Sequence, residues 1–101
     1  MQYILMCCFD EKRWEEIPES QRDAIMREYG EFVQSLVNTG HFCGGAKLQP
    51  ARSATTVRMN NGRTVLTDGP FAETKEQLGG YHIVDCTDLN EAISIAARIP
   101  T

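Results

Sequence analysis

Residues 21–40 carry the sequence QRDAIMREYGEFVQSLVNTG, and this segment predicts a long amphipathic helix. Its apolar residues recur every three or four positions, so they form one stripe along a helix face. Ser20 precedes the segment as a candidate N-cap, with Asp23 three residues later in an approximate capping box. Gly40 follows the predicted helix, residues 21–39, as a natural C′ residue. The stripe comprises Ile25, Tyr29, Phe32, Val33, Leu36 and Val37.

On the N-terminal side of this helix, residues 2–9 (QYILMCCF) form a bounded apolar run. The run predicts a strand that is buried on both faces. Residues 10–19 predict a polar connection between that strand and the helix.

On the C-terminal side, β-branched residues and turn residues predict further strands. The Asn60-Asn61-Gly62 turn predicts a tight hairpin, because asparagine and glycine tolerate positive φ angles. The whole order predicts an α+β, ferredoxin-like fold, in which two helices cover one face of a mostly antiparallel sheet. The predicted elements are strands at 41–48, 54–59, 63–67 and 81–86, a loop or single helical turn at 73–78, and a helix at 89–98 capped by Thr87 or Asp88.

Length and charge limit the classes of function. The chain has 101 residues, which predicts one domain spanning residues 1–101. Its net charge of −4 argues against direct nucleic-acid binding, which needs a positive face. The short apolar N-terminus predicts neither a signal peptide nor a membrane span. The cysteines predict small buried side chains in a reducing, cytoplasmic compartment, and they are Cys7, Cys8, Cys43 and Cys86.

The segment after the hairpin, residues 67–81, is TDGPFAETKEQLGGY. It resembles the signature of the YCII-related family in its DGPF subgroup. The resemblance extends to LQP at residues 48–50, ATTVR at 54–58, GRT at 62–64 and DLNEA at 88–92. It therefore covers nearly the whole chain.

The resemblance implies a ferredoxin-like fold that assembles as a homodimer, or as a larger homo-oligomer. In such a dimeric α+β barrel, two sheets face each other. The resemblance also implies a biochemical role that is mostly unassigned. Some relatives in the wider family are catalytic, with a histidine and an aspartate in a cleft, and others occur beside or fused to alternative sigma factors.

The sequence differs from the family pattern in two respects. Members usually continue past Ile99-Pro100 into a final strand rich in valine and arginine, whereas this sequence stops at Thr101. Without the usual C-terminal strand, one sheet edge is expected to be open or covered by another subunit. The wider family's catalytic histidine lies on the first helix, but residues 21–39 contain none. A catalytic His–Asp pair therefore does not carry over.

Two carboxylates are candidate catalytic groups. Asp68 precedes Gly69-Pro70, where a backbone bend can project a side chain into a cleft as a general base. Aspartate before glycine and proline also caps turns, and we favour that interpretation of Asp68. Glu73 is the other candidate base, beside Lys75 and Glu76. The plainer interpretation of this charged cluster is a solvated loop with weak ion pairs.

Three residues form the predicted substrate-binding set, namely Arg58, Phe71 and Lys75. Lys75 would position an anionic substrate. Arg58 would anchor a carboxylate or phosphate, because a guanidinium binds these groups through two parallel hydrogen bonds. Two alternatives for Arg58 stay open, a surface arginine and an ion pair with Asp68 of the adjacent strand.

Histidine gives weaker candidates. His82 alternates with Val84 and Cys86 on one strand face, where a lone histidine is more often core or interface than catalyst. His41 follows the end of the long helix, where a cation complements the helix dipole. Together with Cys43 it offers only two metal ligands, which is too few for a site. The sequence predicts no metal and no cofactor.

Two hypotheses of function follow. The first is a small-molecule binder or enzyme whose cleft lies near the DGPF segment, acting as a homodimer. The alternative is a non-catalytic interaction module that regulates transcription through a sigma-factor partner. The enzyme hypothesis predicts that Asp68 or Glu73 is partly buried. The interaction hypothesis predicts that both are solvated and that an apolar patch lies elsewhere.

Overall fold

A computed structural model describes residues 1–100, so residue 101 of the predicted domain lies outside the described part. Within this part the chain is α+β, with antiparallel strands and helices, as predicted. The elements are β1 (Gln2–Phe9), α1 (Glu11–Glu16), α2 (Glu19–Asn38), β2 (Phe42–Lys47), a short 3₁₀ turn (Ala51–Ser53), β3 (Thr55–Asn60), β4 (Arg63–Asp68), β5 (Gln77–Asp85) and α3 (Leu89–Ala96).

Three of the strands form the main sheet. Its order is β1-β5-β2, and β5 runs antiparallel to both neighbours. Strands β3 and β4 form a separate two-stranded hairpin. This arrangement of helices and antiparallel strands is compatible with the predicted ferredoxin-like fold.

The core lies between the sheet and two helices. Phe32 and Leu36 of α2 and Ala92 and Ile95 of α3 are buried in one cluster with side chains of β1 and β5. Both helices therefore cover the same sheet face, as the apolar stripes predict. The sheet contributes Leu5, Val84 and, just after β5, Cys86.

The opposite sheet face is open among the described residues. Ile4 and Met6 of β1 lie on that face and are largely exposed. The prediction of a strand buried on both faces was wrong, because the helices cover only one face. All four cysteines were predicted to be buried, but side chains alternate between the covered and the open face of the sheet, so their exposure differs. Cys8 is exposed and so is Cys43 of β2, whereas Cys86 is buried.

The N-termini of the first two helices differ from the prediction. Residues 10–19 were predicted as a polar connection, yet they contain α1, whose N-cap Asp10 accepts hydrogen bonds from two backbone N–H groups of the first turn. Helix α2 begins at Glu19 after Pro18, so Ser20 is not its N-cap. The Pro18 carbonyl accepts from the N–H groups of Gln21 and Arg22, and no side chain caps this end, so the predicted capping box is not formed.

The hairpin turn is confirmed. Asn61 has a φ of 49° and Gly62 a φ of 76°, the two positive angles that a tight two-residue hairpin loop requires. The helix-ending Gly40 is also confirmed, with a φ of 76°. Strand β5 was predicted to begin at residue 81, but it begins at Gln77 and includes Gly79.

Candidate functional site

The predicted site residues of the hairpin lie on opposite faces of it. In the β3–β4 register Arg58 is opposite Val65, whereas Asp68 is opposite Thr55. Side chains alternate along a strand, so Arg58 and Asp68 point to different sides. Among residues 1–100 no ion pair joins them. The Arg58 guanidinium donates instead to the backbone carbonyl of Phe71 at 3.4 Å.

The turn that follows β4 is held by backbone and hydroxyl groups. The Gly69 N–H donates to the Ala54 carbonyl at 2.7 Å, and the Thr56 hydroxyl donates to the Gly69 carbonyl at 2.8 Å. Asp68 is exposed at this turn, and so is Glu73 in the loop beyond it. This exposure matches the interaction hypothesis better than the enzyme hypothesis, as does the 81% exposure of Phe71.

The loop at residues 71–76 is tied to α1 through Gln77. The Gln77 side-chain amide donates to the Thr74 carbonyl at 2.5 Å, and its side-chain carbonyl accepts from the Glu11 N–H at 3.1 Å. The Thr74 hydroxyl also donates to the carbonyl of Glu76 at 2.5 Å. These contacts place Lys75 beside the first helix.

An aromatic pair stands where β1 turns into α1. The rings of Phe9 and Trp14 are 5.9 Å apart and meet edge to face. The Phe9 ring lies directly over Gly79, where a Cβ atom would overlap it. Gly79 is the extra residue of a bulge in β5, since Cys7 pairs with Gly80 and Cys8 pairs with Leu78. The bulge and the missing side chain together make room for the ring.

Open clefts lie on both sides of this aromatic pair. The first, which we call the Lys75 cavity, has a volume of about 380 Å³. The second, the Arg22 cavity, has a volume of about 390 Å³. Both volumes are in the range of small-molecule sites. The Lys75 cavity is lined by Cys8, Phe9, Asp10, Arg13, Trp14, Ile17, Lys75 and Glu76. The Arg22 cavity is lined by Phe9, Glu11, Trp14, Glu15, Arg22, Lys47, Leu48, Gln49, Pro50 and Gly79.

Of the charged groups that line the Lys75 cavity, the carboxylate of Asp10 is hydrogen-bonded, whereas the two cations have no ion-pair partner among residues 1–100. Within residues 1–100, neither the Arg13 guanidinium nor the Lys75 ammonium forms an ion pair. The carboxylate of Asp10 accepts the N–H groups of Lys12 at 3.1 Å and Arg13 at 3.5 Å as the cap of α1. Two cations therefore face an apolar wall, with the carboxylate of Glu76 beside them.

His82 lies away from both cavities, under α2. Its ring stacks on Tyr29 with centroids 6.3 Å apart and meets Phe32 edge to face at 5.5 Å. Burial lowers the pKa of His82, because the charged imidazolium loses hydration. Burial likewise raises the pKa of Tyr29 to about 12, with the nearby Cys7 adding to the effect. This surrounding is that of a neutral core histidine.

A pH titration of stability should reveal His82. Since the pKa of His82 is lowered by folding, the unfolded chain takes up a proton first as pH falls. The stability of the folded chain is therefore not reduced by His82 at a pH above the unfolded pKa of 6.5, and it falls as the pH drops below that value. Urea unfolding at pH 7.5 and pH 5 should show a smaller loss of stability in His82→Gln than in the parent chain. An equal loss in both would contradict the assignment.

His41 joins the ends of two helices. Its Nε2 lies 3.1 Å from the carboxylate of Glu91 on α3, and its Nδ1 lies 2.7 Å from the hydroxyl of Thr39. A structural role at the C-terminus of α2 was predicted, and these hydrogen bonds to Glu91 and Thr39 supply one. In the described part of the chain, no group of three metal-ligating side chains is present.

Comparison with known proteins agrees with the signature in residues 67–81. A family model described as the YCII-related domain matches residues 1–101. The chain belongs to the YCII-related family. This YCII-related protein is also similar to an uncharacterised protein of Rhizobium meliloti (strain 1021), with 36% identity over 96 residues, which cover 95% of this chain and 77% of the relative. The predicted family is therefore confirmed.

Most of the residues that line the cavities of this YCII-related protein were not predicted from its sequence. Of the predicted set only Lys75 lines a cavity, while Arg58, Asp68, Phe71 and Glu73 lie outside both. Arg13 and Trp14 were missed because they lie on α1, which was not predicted. The signal was present, since Asp10 is a strong N-cap residue that comes just before a short charged segment.

In residues 1–100 no helix combines the length and apolar character of a membrane span.

Proposed function

We propose that this YCII-related protein binds a small organic anion in the Lys75 cavity. The observation that carries the proposal is the pair of cations, Arg13 and Lys75, that stand without ion-pair partners in residues 1–100 beside the Phe9–Trp14 wall. A guanidinium and an ammonium suit a carboxylate or phosphate group. The aromatic wall suits an apolar or aromatic body on the same molecule.

The protein carries its own reporter for this test. Trp14 is the single tryptophan and lines the Lys75 cavity, so its fluorescence should change on binding. A library of aromatic and aliphatic carboxylates and phosphates, each paired with its neutral amide or alcohol, would be titrated while that fluorescence is followed. Ligands that bind only the folded protein should also raise its melting temperature.

Arg13→Gln and Lys75→Gln should each weaken binding of an anionic hit by about 10- to 100-fold, since each removes a charge-assisted hydrogen bond. The matched control is Lys12→Gln, which removes a charge from the neighbouring position of α1 that does not line the cavity. Equal losses in all three variants would point to a general charge effect and contradict the site. A library without any fluorescence or melting response would contradict the function.

We also propose that the protein acts as a homodimer. Its open sheet face and its exposed hairpin leave apolar side chains in water, which soluble monomers seldom do over a large area. The alternative of a regulatory interaction module draws on the same surfaces and on the solvated Asp68 and Glu73. A sigma-factor partner remains part of that alternative. A protein that is monomeric and binds no library anion would favour the alternative.

A further inference from the structure

The Arg22 cavity is built by three separate segments of the chain. Helix α1 contributes Glu11, Trp14 and Glu15, which are three and four residues apart and therefore share one helix face. The end of β2 contributes Lys47, the last residue of that strand, and the loop that follows it. Helix α2 contributes Arg22. These side chains surround an open volume of about 390 Å³.

Two side-chain bonds join the loop after β2 to α1. The Ala51 N–H donates to the carboxylate of Glu11 at 2.8 Å, in a partly buried position. The Arg52 guanidinium donates to the carboxylate of Glu15 at 3.2 Å. The second bond is exposed and contributes less, because water competes for both charges. The cleft between α1 and the loop is therefore a feature of the folded chain.

The two cations that line the Arg22 cavity are unpaired in residues 1–100. Neither the Arg22 guanidinium nor the Lys47 ammonium forms an ion pair there. Glu15, by contrast, is already paired with Arg52. With Arg52 counted, the cleft holds three cations and two carboxylates, a net charge of +1, in a chain that carries −4. A positive cleft in an acidic protein favours an anionic ligand.

The carboxylates of the cleft have acceptor capacity to spare. Glu11 and Glu15 each receive a protein donor at Oε1, and within residues 1–100 no hydrogen bond reaches the Oε2 atom of either. An ionised carboxylate only accepts hydrogen bonds, so a ligand must bring donors to use these oxygens. Hydroxyl groups supply such donors without adding charge. The cleft thus suits an anion that also carries hydroxyl groups.

Apolar side chains complete the lining of the Arg22 cavity. The Phe9 and Trp14 rings form one side of it, and Leu48 and Pro50 of the loop add aliphatic surface. Mixed sites of this kind hold the carbon skeleton of a ligand by apolar contact and fix its orientation through a few polar groups.

We propose that the Arg22 cavity binds small hydroxylated organic phosphates, the chemical class of the sugar phosphates. The Arg22 guanidinium can donate to two phosphate oxygens, and Lys47 adds a second positive charge. Two cations match the charge of nearly −2 that a phosphate monoester carries near neutral pH. The Glu11 and Glu15 carboxylates accept from the hydroxyl groups. The site is separate from the Lys75 cavity and does not depend on anion binding there.

A matched set of ligands tests this chemical class. Ribose 5-phosphate and glucose 6-phosphate carry both features, pentyl and hexyl phosphate lack the hydroxyl groups, and ribose and glucose lack the phosphate. Trp14 lines the cavity, so its fluorescence would follow each titration at constant ionic strength. The sugar phosphates should bind at least about 10-fold more tightly than either matched type, because only they engage cations and carboxylates together. Equal affinity for the alkyl phosphates would overturn the assignment of a hydroxylated ligand.

Arg22→Gln and Lys47→Gln should each weaken sugar-phosphate binding by about 10- to 100-fold, since each removes a charge-assisted hydrogen bond. The matched control is Arg27→Gln, because Arg27 is an exposed arginine of the same helix that lines neither cavity. Its removal should change the affinity by less than about 3-fold, since salt screens an exposed and distant charge. The same loss in all three variants would assign the binding to overall charge and overturn the site.

Amide chemical shifts locate the ligand in the unmodified protein. An isotope-labelled chain titrated with ribose 5-phosphate should show its largest shifts at Lys47, Leu48 and Gln49, in and after the end of β2. Shifts concentrated at Lys75 and Glu76 would overturn this site and support the proposed function instead. No shift and no fluorescence change at millimolar ligand would overturn this site and leave the proposed function standing, because anion binding in the Lys75 cavity is measured with its own ligands and variants.

Discussion

Leu36→Ala should strongly destabilise the folded chain. Leu36 is fully buried and belongs to the core cluster, together with side chains of β1, β5 and α3. Removing a buried leucine side chain to alanine costs about 2 to 5 kcal/mol, through lost burial and the cavity that remains. A domain of this size is stable by about 5 to 15 kcal/mol, so the variant loses a large share of its stability.

Chemical denaturation measures this loss, at one protein concentration for all variants, since the proposed homodimer would make stability depend on concentration. Val37→Ala is the control, because Val37 is the next residue of the same helix and is 50% exposed. Its change should stay below about 1 kcal/mol. If Leu36→Ala and Val37→Ala unfold at the same denaturant concentration, the core does not lie where the structure places it.

Gly79→Ala should disrupt the Lys75 cavity, although Gly79 does not line it, because Gly79 contacts the Phe9 ring that does. A Cβ atom at residue 79 would lie 2.6 Å from Cδ1 of Phe9 and closer still to Cε1. The Phe9 ring must then move, and it takes with it the edge-to-face contact with Trp14. Such overpacking typically costs about 1 to 3 kcal/mol. The Trp14 emission should shift to longer wavelength, and the response to anions at the Lys75 cavity should disappear.

Replacing a second glycine, Gly30, should raise the stability of the chain instead of lowering it. In Gly30→Ala the new Cβ meets nothing within 4 Å, and the residue lies inside α2. Alanine there should stabilise the chain by about 0.5 to 1 kcal/mol, since glycine is a poor helix former. It should leave Trp14 fluorescence and anion binding unchanged. Unchanged Trp14 emission and binding in Gly79→Ala would mean that the ring pair does not form the cavity wall.

The features that could be predicted from the sequence are those with strong local patterns. Helix α2 carries an apolar stripe that repeats at helical spacing from Ile25 to Val37, and the β3–β4 hairpin has a turn sequence that demands positive φ angles. Both patterns are set by nearby residues, so no knowledge of the rest of the fold is needed. Helix α3 was predicted for the same reason, with Thr87 or Asp88 as its cap. In the structure the cap is Asp88, which accepts from the Glu91 N–H.

The features that escaped prediction depend on contacts between distant segments. Helix α1 has six residues, too few to show periodicity, and Trp14 meets Phe9 of the preceding strand. Gly79 looks like a strand breaker, yet it lies within β5 because that strand pairs with β1 on one side and β2 on the other. Tertiary pairing overrode the weak local preference.

The candidate site illustrates the same limit. The DGPF segment identified the family, but most of its polar side chains point into water within one chain. The cavity beside it is built by Arg13 and Trp14, which lie some sixty residues away in sequence. A signature motif indicates ancestry more directly than it indicates which side chains meet a ligand.

The Phe9–Trp14 pair forms a wall shared by two cavities, since both rings line the Lys75 cavity and the Arg22 cavity. Any shift of the rings that enlarges one cavity reduces the volume of the other. Two ligands on opposite sides would therefore sense each other without touching. Whatever factor the first imposes on the affinity of the second, the second must impose on the first, because the coupling free energy is the same in both directions.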